Sequence, residues 1–295
     1  MTRTLHYQIT PSDAGSTILS FLKQRGYSHP VIVHLKKTPK GIIRNGHWAY
    51  VNEILLEGDT LVITLCELPS AEHMTQKKDS HILPAALPLS IVYEDEDILL
   101  VNKPAGQSVH PSLGHYEDTL ANAVAYHYRN DESFRFHCIN RLDKNTSGLV
   151  LIARHMLSAA VLSVQVKNRQ LHRTYLAVVK GETPLCGTVN APIGRVSDSV
   201  IERYVDEANG KCAVTHFTRC GLFETDGCQY SLLSLTLETG RTHQIRVHMK
   251  HISHPLPGDF LYCPDYEYFS RQPLHSASLS FIHPITNEPL TFHAP

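Results

Sequence analysis

The stretch NRLDKNTSGLVLIARH, from Asn140 to His155, joins a polar loop to an uninterrupted apolar run. LVLIA has the length and character of a strand buried on both faces. In the loop before it, Asp143 stands between Arg141 and Lys144 in a locally positive setting, while Thr146, Ser147 and Gly148 supply hydroxyls and a permissive turn. A carboxylate fixed there suits work as a base or nucleophile, and the plainer alternative is an aspartate that only stabilises its own turn.

Outward from that loop, IVYEDEDILLVNKPAG reads as two strands around an acidic turn, and Asp118 opens a helical stretch carrying Leu120, Ala123 and Val124. HRTYLAVVKG, CAVTHFTRC, SLLSLTLETG and LHSASLSFIH have strand-like apolar or alternating patterns. Helical patterns follow His155 and cover THQIRVHMKHI, without the regular alternation of a doubly wound sheet. The expectation is an α+β fold, a mixed and largely antiparallel, strand-rich domain over 89–295. Glu67 to Ser90 is polar and punctuated by Pro69, Pro84 and Pro88, which places a linker at 68–88. Within 1–67, Asp13 is positioned to cap a helix with Ile18, Phe21 and Leu22 on one face and Gly26 at its end. Ser28 caps a second, with Val31, Ile32 and Leu35. Asn45-Gly46 signals a hairpin and Gly58-Asp59 a turn before LVITL.

The 295 residues are 42% hydrophobic and 19% charged, enough apolar material for real cores and too little charge for global disorder. The first thirty residues hold no apolar stretch like a signal segment and no later run approaches a membrane span, so a cytoplasmic location is expected. Seven cysteines without a CxxC pair suit reduced thiols. A net charge of −1 means that any nucleic-acid affinity comes from local basic patches.

RLDKNTSGLVLIA resembles the signature block of the RluA-type pseudouridine synthases, usually HRLDxxTSG. RQLHRTYLAVVKG is similar to the family's second block, TGRTHQIRVHM to its third, and VNKPAGQSVHPSLGH, HPLPGDFLY and LHSASLSFIHP to further segments, together spanning Ile91 to Pro295. Asp13 to Cys66 resembles the S4 RNA-binding module, a small α/β domain that presents basic residues, here Lys36, Lys37, Lys40 and Arg44. A solvated basic helix end is the alternative there. Two positions depart from the family pattern. Asn140 stands where histidine is usual, which predicts altered substrate preference, and Arg173 stands where lysine is common.

The resemblance implies that uridine in a structured RNA is isomerised to pseudouridine. Asp143 then acts at the ribose, Tyr175 stacks on the base and Arg246 pairs with Asp143. Arg141, Thr146, Arg241, His243 and Ile245 contribute to substrate binding, with an ordinary surface charge as the alternative for Arg241. The reaction breaks N1–C1′ and joins C5 to C1′ with no redox change or hydrolysis, so its balance requires no cofactor and no metal. The target base must be unstacked or lie in a loop. Ribosomal RNA is the first expected substrate and transfer RNA the second, with the protein a monomer. The rival classes are weaker: His248, His251 and His254 do not share one helical face, and no zinc or phosphate-loop pattern is present. A non-catalytic RNA-folding factor would have no need for the intact Asp143, Tyr175 and Arg246.

Overall fold

The computed structural model describes residues 2–66, 82–131, 133–197 and 199–294. The N-terminal unit contains β1 (Thr2–Gln8), α1 (Ile18–Gln24), α2 (His29–Lys37), β2 (Ile42–Arg44), β3 (His47–Trp48) and β4 (Thr60–Cys66). Its antiparallel sheet has the order β1-β4-β2-β3. Ile18, Phe21 and Leu22 of α1 and Val31, Ile32 and Leu35 of α2 are buried over that sheet, with Leu5, Leu61 and Ile63 in the same core. The β2–β3 turn has positive φ at both Asn45 (49°) and Gly46 (84°), the geometry whose twist matches a tight hairpin.

Two features differ from the sequence reading. Thr17, not Asp13, caps α1, its side chain accepting from the Ser20 N–H, while Asp13 accepts from Thr10 Oγ1 at 2.8 Å and Arg25 Nη2 at 3.1 Å. Strand β1 has no counterpart in that reading. TRTLHYQ buries mainly Leu5, and its seven-residue pairing with β4 supplies the stability that its own pattern does not announce.

The larger unit contains β5 (Ile91–Glu94), β6 (Ile98–Lys103), α3 (Leu120–His127), β7 (His137–Cys138), β8 (Ser147–Ala153), α4 (Met156–Lys167), β9 (His172–Lys180) and β10 (Cys186–Asn190). It continues through β11 (Ile193–Arg195), β12 (Arg203–Val205), β13 (Val214–Thr225), β14 (Cys228–Leu237), α5 (Gln244–His251), β15 (Leu274–Ile282) and β16 (Pro289–His293). The main sheet runs β10-β13-β14-β9-β15-β8-β6-β5, with β7 paired to β8 and β16 to β15. Only β15–β8 is parallel among these pairs, so the α+β, largely antiparallel expectation holds. Leu99, Val101, Val150 and Ile152 face one core with α3 and α5, and Ile98, Leu100, Leu149 and Leu151 face another with α4. Burial on both faces explains why these strands read as continuous apolar runs. Thr119 caps α3 in a reciprocal box with Asn122, one residue later than the Asp118 expected to open it.

Most of the expected linker, 68–81, lies outside the described residues. Past it, the Leu83 carbonyl accepts from Asn122 Nδ2 at 2.8 Å, and Ala85 N–H donates to the Asn122 carbonyl at 3.2 Å, strapping the chain along α3. The N-terminal unit rests on α4: Leu157 lies in its core, and Arg3 of β1 pairs with Asp97 at 2.8 Å and Glu96 at 2.7 Å. Asp97 also accepts from His155 Nε2 at 2.9 Å. Asp95, Asp97 and His283 form the one grouping of metal-type donors among the described residues. Its atoms are engaged by Tyr93, Arg3, His155 and one another. Among the described residues, no helix is long and apolar enough to cross a membrane.

Candidate active site

Strand register brings the site together. Ser276 of β15 is the partner of Tyr175 on β9 and of Gly148 on β8, so one residue ties the middle of the sheet to the end of the Asp143 loop. Gly148 has φ 111°, and a Cβ there would lie 2.3 Å from the Ser276 carbonyl oxygen, so only glycine permits the approach. Upstream, the loop is closed by the Thr146 N–H donating to the Asp143 carbonyl at 3.0 Å. The Lys144 carbonyl accepts from Gly106 N–H at 2.9 Å and the Asn145 carbonyl from Arg271 Nη1 at 3.0 Å.

The Asp143 side chain is 26% exposed, and its Oδ2 accepts from Arg246 Nη1 at 3.0 Å. Arg246, on α5, is buried, and its Nε and Nη2 donate to Asp259 Oδ2 and Oδ1 at 2.6 and 2.7 Å. Burial works against the guanidinium charge, and the hydrogen bonds and charges of Asp259 and Asp143 more than offset it. Asp259 also accepts from the N–H groups of Leu261 and Tyr262, at 3.0 and 3.2 Å, so the turn that carries it is itself fixed. The half-exposed ring of Phe260 and the buried ring of Tyr262 lie 5.5 and 5.0 Å from the guanidinium carbon.

Tyr175 is buried. Burial pushes its phenol pKa up and the nearby Asp143 charge adds to this, while Arg173 and a hydrogen bond with Ser276 oppose it. Lys103, at the end of β6, is 1% exposed, and its Nζ donates to the carbonyls of Pro104, Gln107 and Lys144 at 2.7, 2.8 and 3.2 Å. Burial pushes the ammonium down to about 7, with Asp143 working the other way. His243 Nε2 lies 3.9 Å from Asp143 Oδ2, and burial lowers the imidazole pKa.

The structure thus brings together Asp143, Tyr175, Arg246 and His243. Thr146 is buried beside them in the loop, and Arg141 is exposed next to the aspartate. Ile245 is buried and belongs to the core cluster that contains Tyr175. Arg241 is exposed, with Nε donating to the Cys212 carbonyl at 3.0 Å. Lys144 faces His115 Nε2 at 3.0 Å, so the cation paired with Asp143 is Arg246. Both nitrogens of His248 are engaged, by Thr215 Oγ1 and the Ala191 carbonyl, each at 2.9 Å, which leaves neither for a metal. Lys36, Lys37 and Lys40 are exposed around the end of α2. Arg44 differs from those lysines in that its guanidinium is held by Asp59 at 2.6 Å and Glu53 at 3.6 Å.

Asn140 also departs from expectation. Its Nδ2 donates to the Leu149 carbonyl at 3.0 Å and its Oδ1 accepts from Leu151 N–H at 2.8 Å, so the buried amide clamps β8. Lys103, Asp259 and Tyr262 were not singled out from the sequence. Lys103 carried a usable signal: a lysine that closes the apolar run ILLVNK has no short route to water if that strand is interior.

A family model described as RNA pseudouridylate synthase matches residues 97–251. The chain is 39% identical to "Uncharacterized RNA pseudouridine synthase YjbO" of Bacillus subtilis, covering 95% of each chain. It is 40% identical to "Ribosomal large subunit pseudouridine synthase D" of Zymomonas mobilis, over 74% of this chain and 72% of that relative. Among solved structures, "Human RNA Pseudouridylate Synthase Domain Containing 1" superposes with a TM-score of 0.60 at 27% identity, covering 72% of this chain and 84% of that one.

Proposed function

The chain belongs to the RNA pseudouridylate synthase family, and we propose that it isomerises uridines in structured ribosomal RNA, with Asp143 as the catalytic carboxylate. One observation carries this reading: a partly open carboxylate is held at 3.0 Å by a buried arginine that a second carboxylate orients. Relatives named for the large ribosomal subunit favour that RNA over transfer RNA.

In the proposed reaction the N1–C1′ bond breaks, the uracil turns, C5 bonds to C1′ and the C5 proton is lost while N1 gains one. Asp143 acts at the sugar, either on the C2′ proton or on C1′, and both routes need a carboxylate positioned before the substrate arrives. Arg246 keeps it in place at little cost in reorganisation, because Asp259 already fixes the guanidinium. Tyr175 offers its ring to the base, and Arg141 braces the stack from which the nucleotide leaves. The N-terminal unit, 1–67, works as an S4-like RNA grip through Lys36, Lys37 and Lys40, while 89–295 carries catalysis, in a cytoplasmic monomer.

The test is incubation of the purified protein with unmodified transcripts of large-subunit ribosomal RNA and of transfer RNAs, followed by carbodiimide labelling and primer extension. Site-specific stops in the ribosomal transcript are expected. Stops only in transfer RNA would reassign the substrate, and binding without any stop would make the protein a non-catalytic RNA factor.

A further inference from the structure

His243 opens α5 in the left-handed region, with φ 57° and ψ 18°. That conformation costs roughly 1–3 kcal/mol and persists only where the surroundings hold it. Here Gln244 does so: its Oε1 accepts from Thr239 Oγ1 at 2.8 Å and Arg241 N–H at 3.0 Å, and its Nε2 donates to the Val214 carbonyl at 2.9 Å. The imidazole is thereby set between two partners, Tyr262 Oη at 2.9 Å from Nδ1 and Asp143 Oδ2 at 3.9 Å from Nε2.

The hydrogen bonds around Tyr262 decide which ring nitrogen carries the proton. Arg203 N–H reaches the same Oη at 3.0 Å, and a backbone amide can only donate, so it takes one lone pair of the oxygen. Burial pushes the Tyr262 phenol up to about 12, so it keeps its hydrogen at neutral pH. With the imidazole proton on Nδ1, the oxygen would accept twice and its own hydrogen would have no acceptor within this network, in a side chain only 7% exposed. The histidine would also turn a lone pair toward the Asp143 carboxylate. With the phenol donating to Nδ1, the phenol hydrogen and Nδ1 are both satisfied, and the N–H on Nε2 points toward Asp143.

We propose that Tyr262 is a positioning residue that fixes His243 as the neutral Nε2–H tautomer, so that the imidazole donates to a ribose hydroxyl that in turn donates to Asp143. A separation of 3.9 Å is too long for a direct hydrogen bond and right for one oxygen to touch both groups. The ribose half of this assignment rests on the pseudouridine synthase reading, and the tautomer half does not. Burial lowers the imidazole pKa and Arg246 lowers it further, against Asp143, in keeping with a neutral ring.

The test uses the full chain labelled with ¹⁵N-histidine, its His243 signals assigned by their loss in His243→Gln. Long-range ¹H–¹⁵N correlation should show a protonated Nε2 and a bare Nδ1, and Tyr262→Phe should shift the ring toward the other tautomer. In single-turnover reactions on the ribosomal transcript, Tyr262→Phe should lower the rate about ten-fold, the effect of one lost hydrogen bond, with RNA affinity unchanged. His243→Gln, whose amide N–H can reach the Nε2 position, should keep about ten-fold more activity than His243→Asn, whose amide reaches only the Nδ1 position. A wild-type ring protonated on Nδ1, or a Tyr262→Phe protein with unaltered tautomer and rate, overturns the assignment. The expected tautomer in a protein that modifies no RNA would instead overturn the functional reading and leave the Tyr262–His243 pairing standing.

Discussion

Asp259 grips Arg246 by two nitrogens, Nε at 2.6 Å and Nη2 at 2.7 Å, and leaves Nη1 to reach Asp143 at 3.0 Å. The pair is buried on both sides, with side-chain exposures of 1% each, so removing one member strands a charge. Asp259→Ala should therefore lower stability by about 3–5 kcal/mol and also free the guanidinium that positions Asp143. Urea unfolding and single-turnover kinetics on the same protein check both effects. A variant with unchanged unfolding midpoint would mean that Arg246 finds another partner.

Asp143→Asn should leave fold and RNA affinity largely intact, because the change is nearly isosteric and the side chain is only partly buried. General acid–base catalysis is worth roughly 10²- to 10⁴-fold, so pseudouridine formation should fall by at least about three orders of magnitude. Turnover within ten-fold of wild type, with deamidation excluded by mass spectrometry, would remove Asp143 from the chemistry.

The features legible in the sequence were those with a local pattern. Buried runs such as LVLIA, the Asn45-Gly46 turn and the apolar faces of α1 and α2 all declare themselves within a few residues. So did Asp143, Tyr175 and Arg246, through blocks spread along the chain. What stayed hidden depends on distant partners. Strand β1 is defined by β4, some sixty residues later, and Asp259 by a guanidinium on another element. Capping was displaced by a few residues at Asp13 and by one at Asp118, because a neighbouring threonine meets the free N–H groups in each case. Arg44 looked like one more cation in a basic stretch until folding set Asp59 against it.

Asn140 offers a stability prediction in place of a specificity one. Asn140→Ala leaves the Leu151 N–H of a central strand without its side-chain acceptor, while the Leu149 carbonyl keeps Ser276 Oγ at 3.4 Å, at a cost of roughly 1–3 kcal/mol for the buried N–H left unsatisfied. Thermal unfolding should register the loss, while the set of modified uridines stays the same. A changed modification pattern at wild-type stability would return Asn140 to the substrate side.

Lys36, Lys37 and Lys40 should act through phosphates. Their joint replacement by Glu should weaken RNA binding, flatten its dependence on salt, and leave the single-turnover rate at saturating RNA near normal. Filter binding between about 50 and 200 mM salt measures the slope, since affinity carried by released counterions changes steeply over that range. An unaltered slope would take the N-terminal unit out of the RNA-binding surface.

Lys103 sets two physical effects against each other, and pH can separate them. Burial pushes its ammonium down to about 7 from the usual 10.5, whereas three carbonyl acceptors match the three N–H donors of the charged form. If burial prevails, the unfolded chain holds a proton between about pH 7 and 10.5 that the folded chain has released, so stability rises with pH across that window and is flat below it. Lys103→Met lacks this group but keeps most of the buried volume, so the wild type should gain on it by roughly 2–3 kcal/mol between pH 7 and 9. Urea unfolding of both proteins at pH 6, 7, 8 and 9 gives the difference directly, with the other titrating groups cancelling. A difference that stays level from pH 7 to 9 would show that the carbonyl cradle and Asp143 keep the ammonium charged, making Lys103 a fixed positive charge beneath the site.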